Sequence, residues 1–442
     1  MTKTISVDNE FGKLERVAVH SPGEEIARMR PDHFSKNLFD DILSPRETEA
    51  EHAVLRDILE DAGAEVLQMR PLLGKALDAA AADAREDLLR RASTLAGNAH
   101  LAEELSEWGN DDLAEALING LSWSKVGNNS RSLARLRALH LGNNDMAFQP
   151  TANLMFMRDP CISFLEHLIP SHMSYPARSR EPLLVEFALR WGLSLTDDTF
   201  IKASSPSDEP GHYSGYEGGD FLILSRSVIM IGASERTSPQ AIDRLSHDMM
   251  AQYPSLQRVY VVLIPDNRSM MHLDTLLTQV DGRHFLGYTP VIVGQGHATP
   301  LAVAVLERDQ DPRVVANLTV QDVLREEFGH DITVIPCGGN DPVHQAREQW
   351  TDGANGLCLA PGHVLLYGRN QHTIGTLKDH GFTEVKLSSV QSRDERRDKV
   401  QAAIGQEKVI YSFIGSELSR ARGGPRCLTM PLKRQSVDTP AA

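Results

Sequence analysis

Short apolar runs alternate with longer stretches of helical periodicity along the N-terminal part of the chain. The run LERVAVHS (14–21) is apolar and rich in β-branched residues, which predicts a strand. In the next stretch, ETEAEHAVLRDILEDAGAEVLQM, apolar residues recur at three-to-four spacing, which predicts an amphipathic helix that ends at Gly63. The closing AEVLQM predicts a second strand, so the pattern is typical of an α/β fold.

The strand pattern disappears between about residue 74 and residue 148, where Ala, Leu, Glu and Asp dominate. Three stretches predict consecutive helices with polar and glycine breaks: GKALDAAAADAREDLLRRASTLAG, AHLAEELSEWGNDDLAEALINGLSW and SRSLARLRALHL. We interpret 74–148 as a helical insertion domain within a discontinuous α/β domain of 1–73 and 149–442. A structural cap or an interface explains such a segment better than a catalytic role does.

Strand-like runs return beyond residue 148. They are FLIL (221–224), SVIMIGAS (227–234), RVYVVLIP (258–265), ITVIPC (332–337), HVLLYG (363–368) and VIYSF (409–413). The intervening SPQAIDRLSHDMMAQY predicts a helix with Pro239 in its first turn. The polar stretch 204–216 predicts a loop of the kind that acts as a lid. No clear sequence repeat is found.

Composition narrows the classes of function. The 442 residues are 41% apolar, enough for a sizeable core, and the net charge of −15 argues against a nucleic-acid partner. The same charge is compatible with a cationic small substrate. No apolar run approaches 18 residues and the N-terminus lacks an apolar leader, so we expect a cytoplasmic protein without a membrane partner. The four cysteines form no C-x-x-C pair, which suggests neither a zinc site nor a thioredoxin-like motif.

Two of four chemically suggestive stretches contain carboxylates beside turns. NLMFMRDP contains Asn153 and Asp159, and it predicts a strand that runs into a turn. YEGGDFLIL contains Glu217 and Asp220, which flank two glycines just before a buried strand. Ordinary turn chemistry explains each stretch at least as well as a functional role.

The other two stretches offer a histidine and a thiol. If MHLDTLLTQVD is a strand, His272 and Asp274 lie on one face, which suits acid–base chemistry or a metal site, although a structural histidine is as common. In SELSRARGGPRCLTMPLKR, arginines and glycines crowd before Cys427. Their positive charge would lower the pKa of the thiol and make it a nucleophile. A buried, inert cysteine is an equal alternative.

Taken together, the four stretches suit one reaction type. A thiolate, a histidine and several carboxylates would serve an attack on a planar, cationic carbon. Guanidinium is such a group, because it stays protonated at neutral pH and presents its donors as a rigid fork that matches carboxylates.

The same stretches resemble the bacterial arginine deiminases. FMRDP, EGGD, HLDT and GGPRCLTMPL occur in the order typical of that family, and GKLERVAVHSPGEE, LFDDI, AREQWTDGANGL and YGRN are similar to it as well. The resemblance extends over essentially the whole chain. It implies the pentein fold, a pseudo-fivefold α/β propeller with a central active site. It also implies hydrolysis of free L-arginine to L-citrulline and ammonia with neither metal nor cofactor, and we expect a homo-oligomer.

The resemblance also implies roles for individual residues around the reacting carbon. Cys427 would be the nucleophile, and His272 would act first as general acid and then as general base. The carboxylates that would hold the guanidinium are Asp159, Asp274 and Glu217, the last of which would also orient the site.

At the amino-acid end of the substrate, the resemblance implies three arginines and an amide. Arg178, Arg236 and Arg422 would meet the α-carboxylate, and Asn153 would complete this end. The glycines before Cys427 would make room for the ligand. Two residues depart from the family pattern, because Ala421 stands where a glycine is expected and Met157 where a hydroxyl residue is expected.

Several alternatives remain open from the sequence. An amidinotransferase of the same fold would pass the thiouronium to an amine, and an arginine dihydrolase would continue to ornithine. An arginine-binding protein without activity is a further alternative. A metallohydrolase built on His272, Asp274 and Glu217 is the last.

Overall fold

The computed structural model describes residues 4–127, 133–140, 146–202, 215–296, 298–310, 313–314 and 318–437. Most of the predicted lid, residues 204–214, and part of the third predicted helical stretch, residues 130–132 and 141, lie outside these ranges.

The described chain contains both helices and strands along its length, with four consecutive helices between residues 69 and 119, which confirms the mixed α/β class. The helices are α1 (Glu24–Ala27), α2 (Pro45–Asp61), α3 (Met69–Ala79), α4 (Ala82–Leu95), α5 (Leu101–Leu105), α6 (Asn110–Asn119), α7 (Leu133–His140), α8 (Arg180–Gly192), α9 (Pro239–Gln252), α10 (Thr289–Ile292), α11 (Val320–Phe328), α12 (Pro342–Trp350), α13 (Gln371–Asp379) and α14 (Arg393–Ala403). The strands are β1 (Leu14–Val19), β2 (Glu65–Gln68), β3 (Leu121–Ser122), β4 (Met146–Phe148), β5 (Cys161–Phe164), β6 (His167–Pro170), β7 (Phe221–Ile223), β8 (Val228–Ala233), β9 (Arg258–Leu263), β10 (Leu277–Gln279), β11 (His284–Gly287), β12 (Val303–Glu307), β13 (Arg313–Val314), β14 (Thr333–Pro336), β15 (Leu357–Ala360), β16 (His363–Tyr367), β17 (Thr383–Leu387), β18 (Val409–Phe413) and β19 (Met430–Arg434).

The predicted N-terminal helix is α2, and its boundaries follow from local chemistry. The Ser44 hydroxyl accepts a hydrogen bond from the N–H of Glu47, and Pro45 occupies the first helical position. The apolar face, which includes Leu55 and Ile58, packs in one cluster with residues of β18. The strands predicted on either side of α2 are confirmed, as are the six strands predicted from the runs FLIL to VIYSF and the helix α9.

One strand arrangement recurs five times in the sheets. In each unit an antiparallel pair is followed by a strand that runs parallel to its second member. The units are β7–β8–β9, β10–β11–β14, β15–β16–β18, β19–β1–β2, and β5–β6, whose Leu168 bridges in parallel to Phe200. The repeat is invisible in the sequence because strand pairing needs only short apolar runs, which many different residues supply.

The segment before the first strand of each unit carries polar residues singled out above. FMRDP precedes β5, EGGD precedes β7, HLDT precedes β10 and GGPRC precedes β19. The fifth such segment, which precedes β15, belongs to AREQWTDGANGL, for which the sequence suggested no role. These five equivalent positions place the functional side chains.

The strand predictions at two of these segments are wrong. Residues Ala152–Met155 form a 3₁₀ turn, and so do Leu273–Thr275, after which β10 begins only at Leu277. Hydrogen bonds with side chains explain the turn at Leu273–Thr275. The Asp220 carboxylate accepts the N–H of Leu273 at 2.9 Å, and the Thr275 hydroxyl donates to the carbonyl of His272 at 2.7 Å. Such side-chain contacts compete with strand pairing.

The predicted helical segment begins at Met69 rather than at residue 74. Its helices share one apolar cluster with α8 and with strand residues such as Leu168 and Met430. The predicted division into an insertion domain, 74–148, and a main domain stays a prediction. Within the described ranges, no helix combines the length and the apolar character needed to cross a bilayer.

Candidate active site

The polar segments meet at a narrow pocket with a free volume of about 20 Å³. It is lined by Leu38, Asn153, Phe156, Asp159, Arg178, Arg236, Arg268, Met271, His272, Thr275, Ala421, Arg422 and Cys427. Two further predicted residues, Glu217 and Asp274, contact the lining residues His272 and Cys427. The structure therefore brings together all nine residues predicted for the site.

His272 lies between two carboxylates. Its Nε2 is 3.1 Å from Oε2 of Glu217, and its Nδ1 is 3.7 Å from Oδ1 of Asp159. Gly219 permits this approach, because a Cβ there would lie 2.6 Å from the imidazole and 2.8 Å from the Asp159 carboxylate. Burial alone would lower the pKa of His272, but the charges of Asp159 and Asp220 and the hydrogen bond to Glu217 raise it to about 10. The imidazole is therefore a proton donor at neutral pH.

Glu217 is kept ionised by its neighbours. Burial acts to raise its pKa, but the hydrogen bond to His272 and the charges of Arg236 and Arg178 lower the pKa to about 2. The guanidinium groups of Arg178 and Arg236 lie 3.6 and 3.9 Å from its Oε2. Glu217 thus holds the imidazole in its charged form.

The Cys427 thiol faces the second aspartate. Its Sγ lies 3.6 Å from Oδ2 and 3.9 Å from Oδ1 of Asp274. Burial, followed by the charges of Asp274 and Asp159, raises the pKa of Cys427 well above its usual value. The expectation that neighbouring arginines lower this pKa is wrong for the site without ligand, because carboxylates dominate around the sulfur.

Arg178 pairs with carboxylates of the site itself. Its Nη1 donates to Oδ2 of Asp159 at 2.6 Å, and its Nε and Nη2 donate to Oε2 of Glu181 at 3.0 and 2.8 Å. Its predicted contact with a substrate carboxylate would require an exchange of these partners, so that role stays a prediction. Glu181, fully buried, is a residue that sequence reasoning missed, although it follows Arg178 at helical i,i+3 spacing.

The guanidinium of Arg422 is held in place by two neighbours, and some of its nitrogens lack hydrogen-bond partners among the described residues. Its guanidinium stacks 3.5 Å above the Trp350 ring, and Nη2 donates to the carbonyl of Arg268 at 3.2 Å. Its buried Nε and Nη1 have no hydrogen-bond partner among the described residues. The backbone of Arg422 is left-handed, with φ of 66°, as is that of Leu38 across the pocket, with φ of 64°. Non-glycine residues held in this region often mark functional sites.

Arg236 also retains an unpaired donor. Its guanidinium lies 4.7 Å from the centroid of the Tyr175 ring. Its buried Nε has no hydrogen-bond partner in the part of the chain that the structure describes. Asn153 lines the same pocket, but its side-chain amide already donates to the carbonyl of Asn37 at 2.8 Å.

The fifth segment contributes Asn355, which sequence reasoning also missed. Its Oδ1 accepts the N–H of Cys427 at 3.1 Å, and its Nδ2 donates to the carbonyl of Asp274 at 2.9 Å. One fully buried amide therefore fixes the nucleophile segment against the aspartate segment. No signal in the sequence identifies Asn355 beforehand, because the fivefold repeat that relates the segments is visible only in the structure.

At the glycines before Cys427, other protein atoms occupy the space that a side chain would need. A Cβ at Gly423 would lie 2.3 Å from the Phe156 ring, and one at Gly424 would lie 2.4 Å from the Asn355 carbonyl. They do not simply make room for a ligand, as the sequence suggested. Of the two departures, Ala421 lines the pocket, and Met157 is fully buried in an apolar cluster.

The site also contains donor atoms with metal-like spacing. One ligand atom each of Asp159, Glu217 and His272 lie within 4.8 Å of one another. However, the guanidinium of Arg178 already lies 2.6 Å from Asp159 and 3.6 Å from Glu217. A divalent cation bound to these atoms would be repelled by that guanidinium, which already pairs with the carboxylates.

Comparisons with known proteins show what the whole chain is similar to. The family model for arginine deiminase matches residues 35–434. The arginine deiminase of Listeria monocytogenes serotype 4a (strain HCC23) is 31% identical over 447 residues, which cover 99% of each chain. That of Latilactobacillus sakei subsp. sakei (strain 23K) is 32% identical over 444 residues, or 99% of this chain and 100% of the relative. An amidinotransferase from Microseira wollei, of the saxitoxin biosynthetic pathway, superposes with a TM-score of 0.52 over 98% of each chain at 15% identity, which shows a shared fold.

Proposed function

The chain belongs to the arginine deiminase family, and we propose that it hydrolyses free L-arginine to L-citrulline and ammonia with Cys427 as the nucleophile. One observation carries the assignment of roles. A buried thiol lies 3.6 Å from a carboxylate, beside a histidine held between two more carboxylates. Arg422, with unpaired donors, lines the same pocket. The pocket thus offers partners for both ends of arginine.

The substrate itself completes the electrostatics of the thiol. Without ligand, the charges of Asp274 and Asp159 raise the pKa of Cys427. A guanidinium bound to the same carboxylates adds a positive charge next to the sulfur and lowers the pKa of the thiol. The Cys427 thiol therefore ionises when the substrate is bound. The arginines near Cys427 are not sufficient to ionise it without the substrate.

In the first half of the reaction, the Cys427 thiolate adds to the guanidinium carbon. Protonated His272 gives its proton to one terminal nitrogen, the C–N bond breaks and ammonia leaves. A cationic S-alkylthiouronium remains on the sulfur. Asp159 and Asp274 stabilise its charge, and Glu217 holds His272 in place.

In the second half, neutral His272 takes a proton from water as the oxygen adds to the same carbon. The C–S bond then breaks, the hydroxyl proton is lost to solvent, and L-citrulline departs. Cys427 returns as the thiolate that attacked and His272 as imidazolium. In the empty site the thiol regains from solvent the proton that it loses to solvent when the substrate binds.

Arg178 is proposed to hold the carboxylates rather than the substrate. It lies on Asp159, which the guanidinium of the substrate must also reach. The free volume of about 20 Å³ holds roughly one water, so side chains have to move before L-arginine enters. If Asp159 released Arg178 and bound the substrate instead, one guanidinium partner would replace another at little electrostatic cost.

The five repeated units support a pentein-type, pseudo-fivefold propeller. Each unit offers one segment to the site, as expected if the units surround it. We also propose that the helices between α3 and α7 form an insertion next to this propeller. A homo-oligomer and a cytoplasmic location remain predictions.

Product analysis tests the function. Purified protein with L-arginine and EDTA should release citrulline and ammonia in equal amounts without added amine. Ornithine with two equivalents of ammonia would indicate a dihydrolase, a requirement for an amine would indicate an amidinotransferase, and loss of activity in EDTA would indicate a metallohydrolase.

Two cysteine variants test the role of the nucleophile. Cys427→Ser should abolish turnover, since a hydroxyl is a poorer nucleophile than a thiolate. Cys337→Ala is the matched control, because burial also raises the pKa of Cys337, to about 12. A tenth of wild-type activity in Cys427→Ser would contradict the thiouronium mechanism.

A further inference from the structure

Arg426 directly precedes the nucleophile, yet its side chain is not part of the pocket lining described above. The guanidinium is buried, with 2% of the residue exposed. Its Nη1 donates to Oε2 of Glu10 at 2.6 Å, and its Nη2 donates to the carbonyl of Phe221 at 3.3 Å. The remaining nitrogen, Nε, lies 3.6 Å from Oδ2 of Asp274.

One oxygen of Asp274 is shared between the nucleophile and this arginine. Oδ2 lies 3.6 Å from Sγ of Cys427 and 3.6 Å from Nε of Arg426. The Nε–H of Arg426 has no closer acceptor among the described residues. The carboxylate therefore lies between the reacting thiol and a buried positive charge.

Arg426 also connects the segments that form the site. Its carbonyl accepts from Nε of Arg158, in the segment before β5, at 3.3 Å. Its guanidinium reaches Phe221 at the start of β7 and Asp274 before β10. Its partner Glu10 accepts the N–H of Ile223 at 3.0 Å. The backbone N–H of Arg426 donates to the carbonyl of Asn355 at 3.4 Å, so Arg426 contacts each of the other four repeated units.

We infer that Arg426 is a positioning residue, which holds Asp274 ionised and aligned with Cys427, and that Glu10 in turn holds Arg426. The inference rests on the proposed function, since it assumes that Asp274 binds the guanidinium. Burying a guanidinium is costly unless it is fully paired. The interaction with Asp274 explains why the guanidinium is buried, because a buried aspartate needs a nearby cation to stay charged.

Removal of the charge has a predictable direction. Burial raises the pKa of Asp274, while the charges of His272, Arg426 and Arg158 oppose this and that of Asp159 adds to it. Cys427 and Asp352 also face this carboxylate. Without Arg426 the pKa of Asp274 rises further, so the aspartate becomes protonated at a higher pH. The acid limb of kcat/KM should then move to higher pH.

The test compares Arg426→Gln and Arg426→Lys with Arg434→Gln. Arg434 is an equally buried arginine, 2% exposed, which donates to the carbonyl of Gly12. We expect Arg426→Gln to lower kcat/KM for L-arginine at least about 30-fold, and to move the acid limb upward by about one pH unit. Arg426→Lys keeps the charge, so its acid limb should stay within 0.3 unit of wild type while its kcat falls. Arg434→Gln should leave the limb in place even if its Tm falls.

A binding measurement separates this inference from the proposed function. L-Arginine is titrated calorimetrically into Cys427→Ser and into Cys427→Ser/Arg426→Gln between pH 5 and 8. The double variant should bind at least about tenfold more weakly at pH 5, and the difference should narrow toward pH 8. If L-arginine binding changes with pH as expected but the wild type makes no citrulline, the proposed function is refuted and the role of Arg426 is not.

The inference is overturned if folded Arg426→Gln keeps the acid limb and the binding profile of its parent. If thermal melting shows that Arg426→Gln does not fold, the variants Glu10→Gln and Arg426→Lys test the role of Arg426 instead. Wild-type kcat/KM, within twofold, in both of these variants would equally refute the role.

Discussion

The discrimination between L-arginine and agmatine tests the proposed carboxylate end of the pocket. Agmatine has the same guanidinium but lacks the α-carboxylate. Arg422 keeps two buried nitrogens without partners, and Arg236 keeps one, among the described residues. Arg178 does not add to this set, because its nitrogens already contact Asp159 and Glu181.

The magnitude follows from these two arginines. A hydrogen bond to a charged group contributes about 1.5–3 kcal/mol, so two such contacts contribute about 3–6 kcal/mol. At about 1.4 kcal/mol per factor of ten, the preference lies between about 10² and 10⁴. Agmatine would also leave these buried donors without an acceptor, so we expect a preference of at least about a thousandfold in kcat/KM.

Arg422→Gln removes one of the two contacts. It should lower kcat/KM for L-arginine by about 10- to 150-fold, while agmatine changes little. The ratio between the substrates therefore narrows. Because Trp350 stacks on Arg422 and holds it over the pocket, the loss is expected mainly in substrate binding, as a higher KM.

Arg268→Gln is the matched control. Arg268 lines the same pocket, but its Nη2 already donates to the carbonyl of Leu38 at 2.8 Å and to Asp40 at 3.0 Å. Its substitution should leave the substrate ratio unchanged. Steady-state release of ammonia from both substrates measures each ratio. Use of agmatine by wild type within tenfold of L-arginine would refute the assignment of these arginines.

Two further predictions concern His272 and Asn355. Because the pKa of folded His272 is raised to about 10, against about 6.5 when unfolded, its stabilising contribution is complete below pH 6.5 and is lost as pH rises through 10. The free energy of unfolding of wild type, relative to His272→Gln, should therefore fall across that range in urea titrations, and a constant difference would contradict the pKa. Asn355→Asp keeps the acceptor for Cys427 but loses the donor to Asp274, so kcat should fall about 10- to 100-fold with little change in KM. Unchanged kcat in the folded variant would remove Asn355 from the positioning of the nucleophile.

Much of the fold follows from local patterns. The three-to-four spacing around Leu55 and Ile58 specifies α2, and the Ser44–Pro45 pair specifies where it begins. The β-branched runs specify strands because their side chains pack on pleated surfaces. The turn at Leu273–Thr275 was missed, because its cause is the carboxylate of Asp220, more than fifty residues away.

The site residues show the same division. The four motifs contain the groups that we propose react, since a thiol, an imidazole and carboxylates are recognisable by type. Partners depend on the fold, so the pairing of Arg178 with Glu181 and Asp159 was not predictable from the motif that contains Arg178. Asn355 has no chemistry that would distinguish it from other asparagines, and only its contacts show its position beside Cys427.

The charges of the resting site argue that substrate recognition and activation depend on the same contacts. Burial and then carboxylates raise the pKa of Cys427, and carboxylates raise that of His272 against the effect of burial. A protonated thiol and an imidazolium therefore line the same pocket. Such a pair is unreactive toward ordinary electrophiles. A guanidinium placed among the carboxylates offsets the charge that disfavours the thiolate, while Glu217 keeps the imidazole protonated for the departing ammonia. A neutral urea, such as the citrulline product, brings no such charge, so the geometry favours one round of hydrolysis over a second attack on the product.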